Sequence, residues 1–219
     1  MSSPTGIRIK KTPFLNWDLK GEAIEFKKFY GIRFKSAVGG DFGADFAEYR
    51  WEEIEANDIV LDIGATEGLY SLLAAWRGAK KVYASDPLFQ KELKENLERN
   101  VELAKRIEIL DYGFGFEGMY EDAWERKRKI SAHRDLLSFI GEHPDLSVLK
   151  IDCEGCEWGA FARLENFRKL RMISFEAHIY SCSHKQMWEV LRQRFSSNGF
   201  LIATQDSKSP SVFLVHATR

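Results

Sequence analysis

Acidic side chains and an imidazole stand at the ends of two apolar segments of this sequence, where they could accept a proton or bind a cation. Asp152 directly follows the apolar segment 148–151, and Glu176 and His178 close a segment that begins at residue 172. A spacing of two places Glu176 and His178 on one side of a strand. Such groups can remove a proton from a hydroxyl, or bind a divalent ion such as Mg²⁺ that acidifies the hydroxyl. We predict that Asp152, Glu176 and His178 are catalytic, with Asp152 or His178 as general base. We favour the metal-free chemistry, because the spacing fixes no coordination geometry.

The elements that carry these residues follow from an alternation of short apolar segments with helical patterns. Buried β-branched strands separated by helices indicate a parallel sheet that is covered on both faces. Only "QDSKSPS" separates the last two strands, which is too short for a parallel crossover and predicts an antiparallel hairpin. Strands are predicted at Ile59–Ile63, Val82–Ser85, Ile107–Leu110, Val148–Ile151, Met172–Phe175, Phe200–Ala203 and Val212–Val215, and helices at Leu69–Trp76, Leu88–Ala104, Ala132–Gly141, Cys156–Leu164 and Lys185–Phe195.

Five parallel βα units closed by an antiparallel C-terminal hairpin are the layout of the class I methyltransferase sheet, a Rossmann-like α/β fold. A dehydrogenase domain of the Rossmann type would end with a sixth parallel strand. We assign residues 58–219 to the methyltransferase-like domain and residues 1–57 to an N-terminal extension of the same domain. Within the extension we predict two short strands around Tyr30-Gly31 and a helix in "GADFAEYRWEEIEAND".

The turn after the first strand of this sheet has the composition of a ligand-binding loop. Glycines in "DIGATEG" allow sharp turns and a close approach of the backbone to a ligand. The middle glycine of a dinucleotide motif is absent, and Glu67 would repel a pyrophosphate, which binds bare backbone amides. S-adenosylmethionine has no phosphate, and its ammonium and ribose hydroxyls suit carboxylates at the ends of the first two strands.

We therefore predict S-adenosylmethionine as the ligand of this turn. The alternative is that Asp62 and Asp86 only cap the helices that follow them, which leaves the glycines unexplained. The adenine should lie near the end of the third strand. The predicted cofactor-binding residues are Asp62, Gly64, Ala65, Thr66, Glu67, Gly68, Asp86, Asp111 and Tyr112.

Two segments, "VLDIGATEGLYS" and "KIDCEGCEW", together resemble the FkbM-type methyltransferases. The resemblance spans Ile59 to His178 and implies an S-adenosylmethionine-dependent methyltransferase of class I fold. In this family the acceptor is often a hydroxyl of a sugar or of another small molecule. The sequence departs from the usual pattern at Cys153 and Cys156, where the family more often has small apolar residues. It also departs at Ser85-Asp86-Pro87, where a glutamate-containing motif is common.

The two cysteines of "DCEGCEW" admit three interpretations. A C-x-x-C sequence at the start of a helix can be a redox pair, or half of a metal site together with Cys182 and His184. Because similar sequences have small apolar residues at these positions, we expect Cys153 and Cys156 to be buried, unligated thiols.

Three charged residues near Asp152 are ambiguous. Lys150 shares one face of a buried strand with Asp152, and a buried lysine requires a carboxylate partner. Glu154 and Glu157 lie on the turn and the first helical positions after the strand. They either join the catalytic residues or interact with the helix N-terminus.

Aromatic side chains could contact a substrate, although packing in the core is their more frequent use. Tyr180 directly follows Glu176 and His178 and is the first choice for a substrate contact. The others stand in the N-terminal part and after the third strand: Phe42, Phe46, Tyr49, Phe114, Phe116, Tyr120 and Trp124.

Composition restricts the class of partner. The 219 residues are 44% hydrophobic and 30% charged, with a net charge of −1, as in a soluble globular protein. No apolar run is long enough to span a membrane, and three cysteines without an export signal favour the cytoplasm.

Near-neutral charge counts against nucleic acid as a partner, and we expect the basic run 126–129 on the solvated face of a helix. A small-molecule or glycan substrate is therefore predicted. Two alternatives stay open, a tRNA or rRNA methyltransferase and a non-catalytic S-adenosylmethionine-binding module.

Overall fold

The computed structural model describes residues 24–25, 32–34, 48–115, 118–121, 127–130, 133–206 and 211–219. Strands are β1 (Ile24–Glu25), β2 (Arg33–Phe34), β3 (Ile59–Ile63), β4 (Lys81–Ser85), β5 (Ile107–Leu110), β6 (Gly113–Phe114), β7 (Gly118–Glu121), β8 (Lys127–Ile130), β9 (His133–Arg134), β10 (Val148–Ile151), β11 (Met172–His178), β12 (Leu201–Asp206) and β13 (Val212–Thr218). Helices are α1 (Leu69–Arg77), α2 (Gln90–Arg99), α3 (Val101–Ala104), α4 (Leu136–Glu142), α5 (Cys156–Phe161) and α6 (Cys182–Ser197), with a 3₁₀ turn at Trp51–Glu53.

A seven-stranded sheet in the order β12-β13-β11-β10-β3-β4-β5 forms the centre of the fold. Strands β5, β4, β3, β10 and β11 run parallel, and β13 lies antiparallel between β11 and β12. The predicted α/β fold is therefore confirmed, including its five parallel strands and its C-terminal hairpin. Strand β3, the first strand of this sheet along the chain, lies between β10 and β4. The strand order reverses direction at β3, and ligands of such sheets bind at the carboxyl end of the strand where this reversal occurs.

The register of β10 and β11 decides where the acidic residues lie. Ile151, the last residue of β10, is opposite Ile63 on one side and Phe175 on the other. Strand β11 continues for three more residues and keeps pairing with β13, with His178 opposite Val212. The end of β11 therefore extends past the end of β10 and overhangs the turn that follows it.

Apolar side chains cover both faces of the sheet. On β10, Leu149 and Ile151 pack with Phe139, while Val148 packs on the opposite face. On β3, Val60 lies on that opposite face as well. Each such side chain contributes about 1.5–3 kcal/mol when it is removed from water. This burial explains why the parallel strands read as continuous apolar segments.

The N-terminal extension is described in part. Strands β1 and β2 pair antiparallel, with Ile24 opposite Phe34, which confirms two short strands there. Tyr30-Gly31 between them lies outside the described residues. Of the predicted N-terminal helix, residues 43–47 also lie outside. Glu48 is helical, but the prediction is wrong for residues 49–58, where a 3₁₀ turn forms at Trp51–Glu53 and no α-helix continues.

The basic run after the third strand of the sheet is not helical. Strand β8 covers residues 127–130 and pairs antiparallel with β7, so that Glu121 is opposite Lys127. The predicted helix is wrong for these residues, and Arg126 lies outside the described part. Strand β8 follows β7 after only five residues, and cross-strand pairing within this hairpin decides over helix propensity. Among the described residues, no helix is both long and apolar enough to span a membrane.

Candidate active site

The glycine turn after β3 is held tightly by backbone contacts. The N–H groups of Gly64 and Ala65 both donate to the carbonyl of Ser85, at 2.9 and 3.2 Å. Gly64, Thr66 and Gly68 all have positive φ angles, of 76°, 46° and 91°. A Cβ atom on Gly64 would lie 1.6 Å from the backbone oxygen of Asp152. Glycine is therefore required here by the close approach of the turn to the segment that follows β10.

Asp86 braces this turn from the end of β4. One carboxylate oxygen accepts the N–H of Thr66 at 2.9 Å, and the other accepts the N–H groups of Leu88 and Phe89 at 2.9 and 3.0 Å. Burial raises the pKa of Asp86, against the lowering effect of these backbone hydrogen bonds. Asp86 does not cap the next helix, α2, whose N-cap is Phe89 and which has no side-chain cap; its carboxylate holds the turn before that helix instead. Its contact with ribose hydroxyls stays a prediction.

Asp62 lies inside the protein below the turn. Its carboxylate accepts the hydroxyl of Ser71 at 2.6 Å and forms an ion pair with Lys150 at 3.3 Å. The Lys150 ammonium also donates to the carbonyl of Gly64 at 2.8 Å and lies 5.0 Å from the ring centre of Tyr49. The predicted pairing of Lys150 with a carboxylate is confirmed. Both partners are fully buried, so contact between Asp62 and a ligand stays a prediction.

The remaining predicted cofactor residues line the ends of β3 and β5. Ala65 and Glu67 are buried, and the carbonyl of Glu67 accepts a hydrogen bond from Asn96 at 3.0 Å. Asp111 is exposed at the end of β5. The carbonyl of Tyr112 accepts the hydroxyl of Ser85 at 2.6 Å, which joins the ends of β4 and β5. These residues share the edge that the sequence predicted for the cofactor.

The ends of β10 and β11 bring acidic side chains to one imidazole. The Nε2 atom of His178 lies 3.4 Å from a carboxylate oxygen of Glu154 and 3.4 Å from one of Glu176. Ligand atoms of Asp152, Glu154 and His178 lie within 4.8 Å of one another. His178 is only 2% exposed, whereas the Glu154 side chain is 49% exposed. The predicted convergence of Asp152, Glu176 and His178 is present, and Glu154 joins them. We call these four residues the acidic cluster.

Glu157 is a fully buried carboxylate that fixes the imidazole. One of its oxygens lies 3.0 Å from Nδ1 of His178 and accepts the backbone N–H of the same residue at 3.0 Å. The other oxygen accepts the N–H of Gly155 at 2.9 Å, at the start of α5. Glu157 therefore combines the predicted helix-terminal role with a second one, because it orients His178.

Charge and burial displace the pKa values in the acidic cluster. Burial, followed by the charge of Asp152, raises the pKa of Glu176 to about 8. Burial lowers the pKa of His178, but hydrogen bonds with Glu154 and Glu157 outweigh it and raise the pKa to about 10. The hydrogen bond from His178 lowers the pKa of Glu154. In the absence of a bound cation, His178 is thus an imidazolium at neutral pH.

The cysteines next to the acidic cluster form a disulfide. Cys153 and Cys156 are bonded to each other, with 5.4 Å between their Cα atoms. The prediction of two separate thiols is therefore wrong, and the bond also excludes half of a metal site formed by these two cysteines; a redox role stays an interpretation. The physical reason is local: left-handed φ angles at Glu154 and Gly155, of 57° and 113°, turn the chain back and bring the cysteines together. Cys182 is free and exposed.

Aromatic residues divide between the core and the site. Tyr49 and Phe114 are buried in the core. Tyr180 is 59% exposed and its ring centre lies 5.5 Å from that of His178. Burial and four nearby carboxylates raise its pKa to about 12. Its predicted position beside the acidic cluster is confirmed. Only the backbone of Tyr120 is described, and four of the named aromatics lie outside the described residues: Phe42, Phe46, Phe116 and Trp124.

Trp158 closes the cluster from the helix side. Its Nε1–H donates to the backbone carbonyl of His178 at 2.9 Å, and its ring stacks on that of His184 with 5.4 Å between centres. Sequence analysis left the roles of Glu154 and Glu157 open, and it did not select Trp158 as a site residue.

Comparisons with known proteins show what the fold resembles. A precorrin-6y C5,15-methyltransferase from Geobacter metallireducens is similar over 85% of this chain and 95% of its own, with a TM-score of 0.53 and 12% identity. A methyltransferase FkbM from Methylobacillus flagellatus is similar over 75% of this chain and 44% of its own, with a TM-score of 0.52 and 20% identity. No family model matches the sequence, and neither does any curated protein.

These similarities and the strand order define the class of fold. The chain has the Rossmann-like sheet of the methyltransferases, closed by an antiparallel hairpin. At 12% and 20% identity the likeness concerns the fold and not the substrate.

Proposed function

We propose that this chain is an S-adenosylmethionine-dependent methyltransferase that acts on a hydroxyl of a sugar, a glycan or another small molecule. One observation carries the proposal. The acidic cluster and the glycine turn meet at the same edge of the sheet, where the Gly64 backbone contacts the backbone of Asp152. Methyl transfer to oxygen needs this adjacency, because the methyl donor and a proton acceptor must reach one hydroxyl at the same time.

The glycine turn fits a cofactor without phosphates. A phosphate binds free backbone N–H groups, but here Gly64 and Ala65 donate to Ser85, and Thr66 donates to Asp86. When bound, S-adenosylmethionine supplies a methyl group on a positively charged sulfur. Residues that would hold it are those of the turn together with Asp86, Asp111 and Tyr112.

Within the acidic cluster the residues divide their roles. His178 has one nitrogen against Glu157 and the other between Glu154 and Glu176, so it positions carboxylates and is not a free base. Asp152 and Glu176 are the carboxylates that remain for proton transfer. One of them accepts the proton as the acceptor oxygen gains the methyl group.

An RNA substrate is the second candidate, and the basic strand β8 favours it. The hairpin of β7 and β8 is inserted after β5 and contains Lys127, Arg128 and Lys129. The end of β5 lies at the edge of the sheet where the carboxyl ends of the parallel strands meet. Filter binding of bulk RNA at two salt concentrations tests this candidate. Phosphate contacts produce a steep loss of affinity with salt, and the small-molecule proposal expects no such binding.

Calorimetry tests the cofactor part of the proposal. The chain should bind S-adenosylhomocysteine, and Asp86→Ala should weaken binding at least about tenfold, or roughly 1.4 kcal/mol. Asp145→Ala is the matched control, because Asp145 is exposed, pairs with Lys169 and precedes the start of β10, at the opposite end of the strand from Asp152. Binding of NADH in place of S-adenosylhomocysteine would refute the proposal.

Turnover on a panel of hydroxylated compounds tests the chemistry. Asp152→Asn or Glu176→Gln should lower turnover by about 10²–10⁴-fold, while affinity for S-adenosylhomocysteine changes little. The exposed residue Glu165 provides a control with the same change of charge, Glu165→Gln. Native turnover in a variant that lacks both carboxylates would show that the acidic cluster does not carry the chemistry. If the native chain binds the cofactor but turns over no acceptor, the result favours the non-catalytic module.

A further inference from the structure

The acidic cluster contains a compact set of potential metal ligands on two elements. Carboxylate oxygens of Asp152 and Glu154 and an imidazole nitrogen of His178 lie within 4.8 Å of one another. Asp152 and Glu154 follow β10, and His178 ends β11. Because β11 overhangs the turn after β10, the imidazole faces the two carboxylates across a short gap. Donor atoms at such separations can surround one cation.

The imidazole is oriented as metal-binding histidines are. Glu157 is fully buried and holds Nδ1 of His178 at 3.0 Å, which assigns the proton of a neutral ring to that nitrogen. Nε2 is then the atom that faces Glu154 and Glu176. A carboxylate on the far nitrogen is the usual outer partner of a metal-bound histidine, since it fixes the ring and increases its basicity.

The balance of charge also favours a bound cation. Asp152, Glu154, Glu157 and Glu176 place four carboxylates around one imidazole, and the cluster is largely removed from water. Like charges at such distances repel one another, and a divalent ion offsets that repulsion. The half-exposed side chain of Glu154 leaves a route by which an ion can enter from solvent.

We propose that Asp152, Glu154 and Nε2 of His178 bind a divalent cation of the first transition row, such as Mn²⁺. Oxygen ligands suit Mg²⁺, Ca²⁺ and Mn²⁺, whereas an imidazole suits the transition metals, so the mixed set selects the latter group. Three protein ligands leave coordination positions open for water or substrate.

The role of the ion rests on the proposed function. In that setting the acceptor hydroxyl oxygen binds the ion, which lowers the pKa of the hydroxyl. Asp152 is then occupied as a ligand, and Glu176 is the carboxylate that receives the proton. Its carboxylate lies 3.4 Å from Nε2 of His178, next to the ligand set.

Titration with Mn²⁺, followed by electron paramagnetic resonance, tests the site without any need for activity. The full chain is stripped with EDTA, dialysed and titrated with Mn²⁺ alone. We expect one ion per chain and hyperfine coupling to one imidazole nitrogen. Glu154→Gln should weaken Mn²⁺ binding at least about tenfold, within the range seen when metal sites lose a supporting group. The partly exposed Glu154 side chain can be replaced without disturbing the core, so a folding defect does not confuse the result.

Matched variants separate this site from other acidic groups. Asp152→Asn should weaken Mn²⁺ binding as Glu154→Gln does, whereas Glu165→Gln should leave it unchanged. Native-like Mn²⁺ affinity in Glu154→Gln and Asp152→Asn, or no binding by the native chain, would overturn the proposal. Calorimetry with S-adenosylhomocysteine distinguishes the two proposals. Mn²⁺ binding without cofactor binding refutes the proposed function alone, and cofactor-dependent turnover that survives EDTA refutes the metal site alone.

Discussion

Replacement of Gly64 by alanine tests the contact that joins the glycine turn to the acidic cluster. Gly64 has a φ angle of 76°, and an added Cβ would lie 1.6 Å from the backbone oxygen of Asp152. Real Cβ contacts are essentially never shorter than 3.0 Å. The backbone of β3 or of the Asp152 segment must therefore move, because the three nearest atoms all belong to the backbone of Asp152 and Cys153.

Gly199→Ala is the reference variant for the change in the free energy of unfolding caused by Gly64→Ala. Gly199 has a nearly equal φ angle of 81°, and an added Cβ there would meet nothing within 4 Å. Both variants pay the cost of a left-handed alanine, about 1–2 kcal/mol. Gly64→Ala adds the cost of forced repacking, about 1–3 kcal/mol or more. Its free energy of unfolding should thus fall by about 2–5 kcal/mol, well beyond that of Gly199→Ala.

Urea unfolding followed by circular dichroism measures the difference. A gap of about 1–3 kcal/mol corresponds to a Tm lower by at least about 2–4 °C for a chain of this size. Equal destabilisation by Gly64→Ala and Gly199→Ala, within about 0.5 kcal/mol, would show that the close approach to Asp152 is absent. The same outcome would remove the main structural support for placing cofactor and acceptor sites side by side.

Three further predictions concern buried groups. Burial, with the charge of Arg50, lowers the pKa of His216 to about 4, so the unfolded chain binds more protons between pH 6.5 and 4. The free energy of unfolding should therefore fall by about 1–2 kcal/mol from pH 7 to 4.5. His216→Gln should lose this part of the pH dependence. If the variant keeps the pH dependence of the native chain, the assignment to His216 is wrong. Lys150→Met should destabilise the chain by about 3–5 kcal/mol because it leaves the Asp62 carboxylate buried and unpaired, and Lys150→Met with Asp62→Leu should recover part of that loss in urea unfolding. Reduction of the disulfide should lower stability by roughly 2 kcal/mol, measured with and without dithiothreitol; mass spectrometry that finds Cys153 alkylated in the non-reduced chain would refute the bond.

The sheet could be predicted from sequence because its signals are local. Continuous apolar segments such as 148–151 are required wherever a parallel strand is covered on both faces. Once β10 and β11 are neighbours, Asp152 and His178 must meet at one edge, and they do. The hairpin of β7 and β8 joins neighbouring segments, but residues 127–130 lack the alternation of apolar and polar residues that indicates a strand.

The composition of the acidic cluster could be predicted only in part. Glu154 enters it because two successive residues, Glu154 and Gly155, adopt positive φ angles, and a backbone turn of this kind is not encoded by residue type alone. Glu157 was ambiguous for a similar reason, since an acid in the first helical turn is usually solvated. Its burial depends on β11 passing above α5, which is a property of the assembled fold. The Cys153–Cys156 bond depends on the same turn.

The contacts beneath the glycine turn couple the two proposed binding events, that of the cofactor and that of the cation. The carbonyl of Ile63 accepts the N–H of Asp152, Lys150 donates to the carbonyl of Gly64, and Gly64 packs on the Asp152 backbone. A ligand that orders the turn therefore also restricts the segment that carries the first carboxylate of the acidic cluster. Such linkage is reciprocal. If the bound cofactor changes the affinity for a cation by a given factor, the bound cation changes the affinity for the cofactor by the same factor.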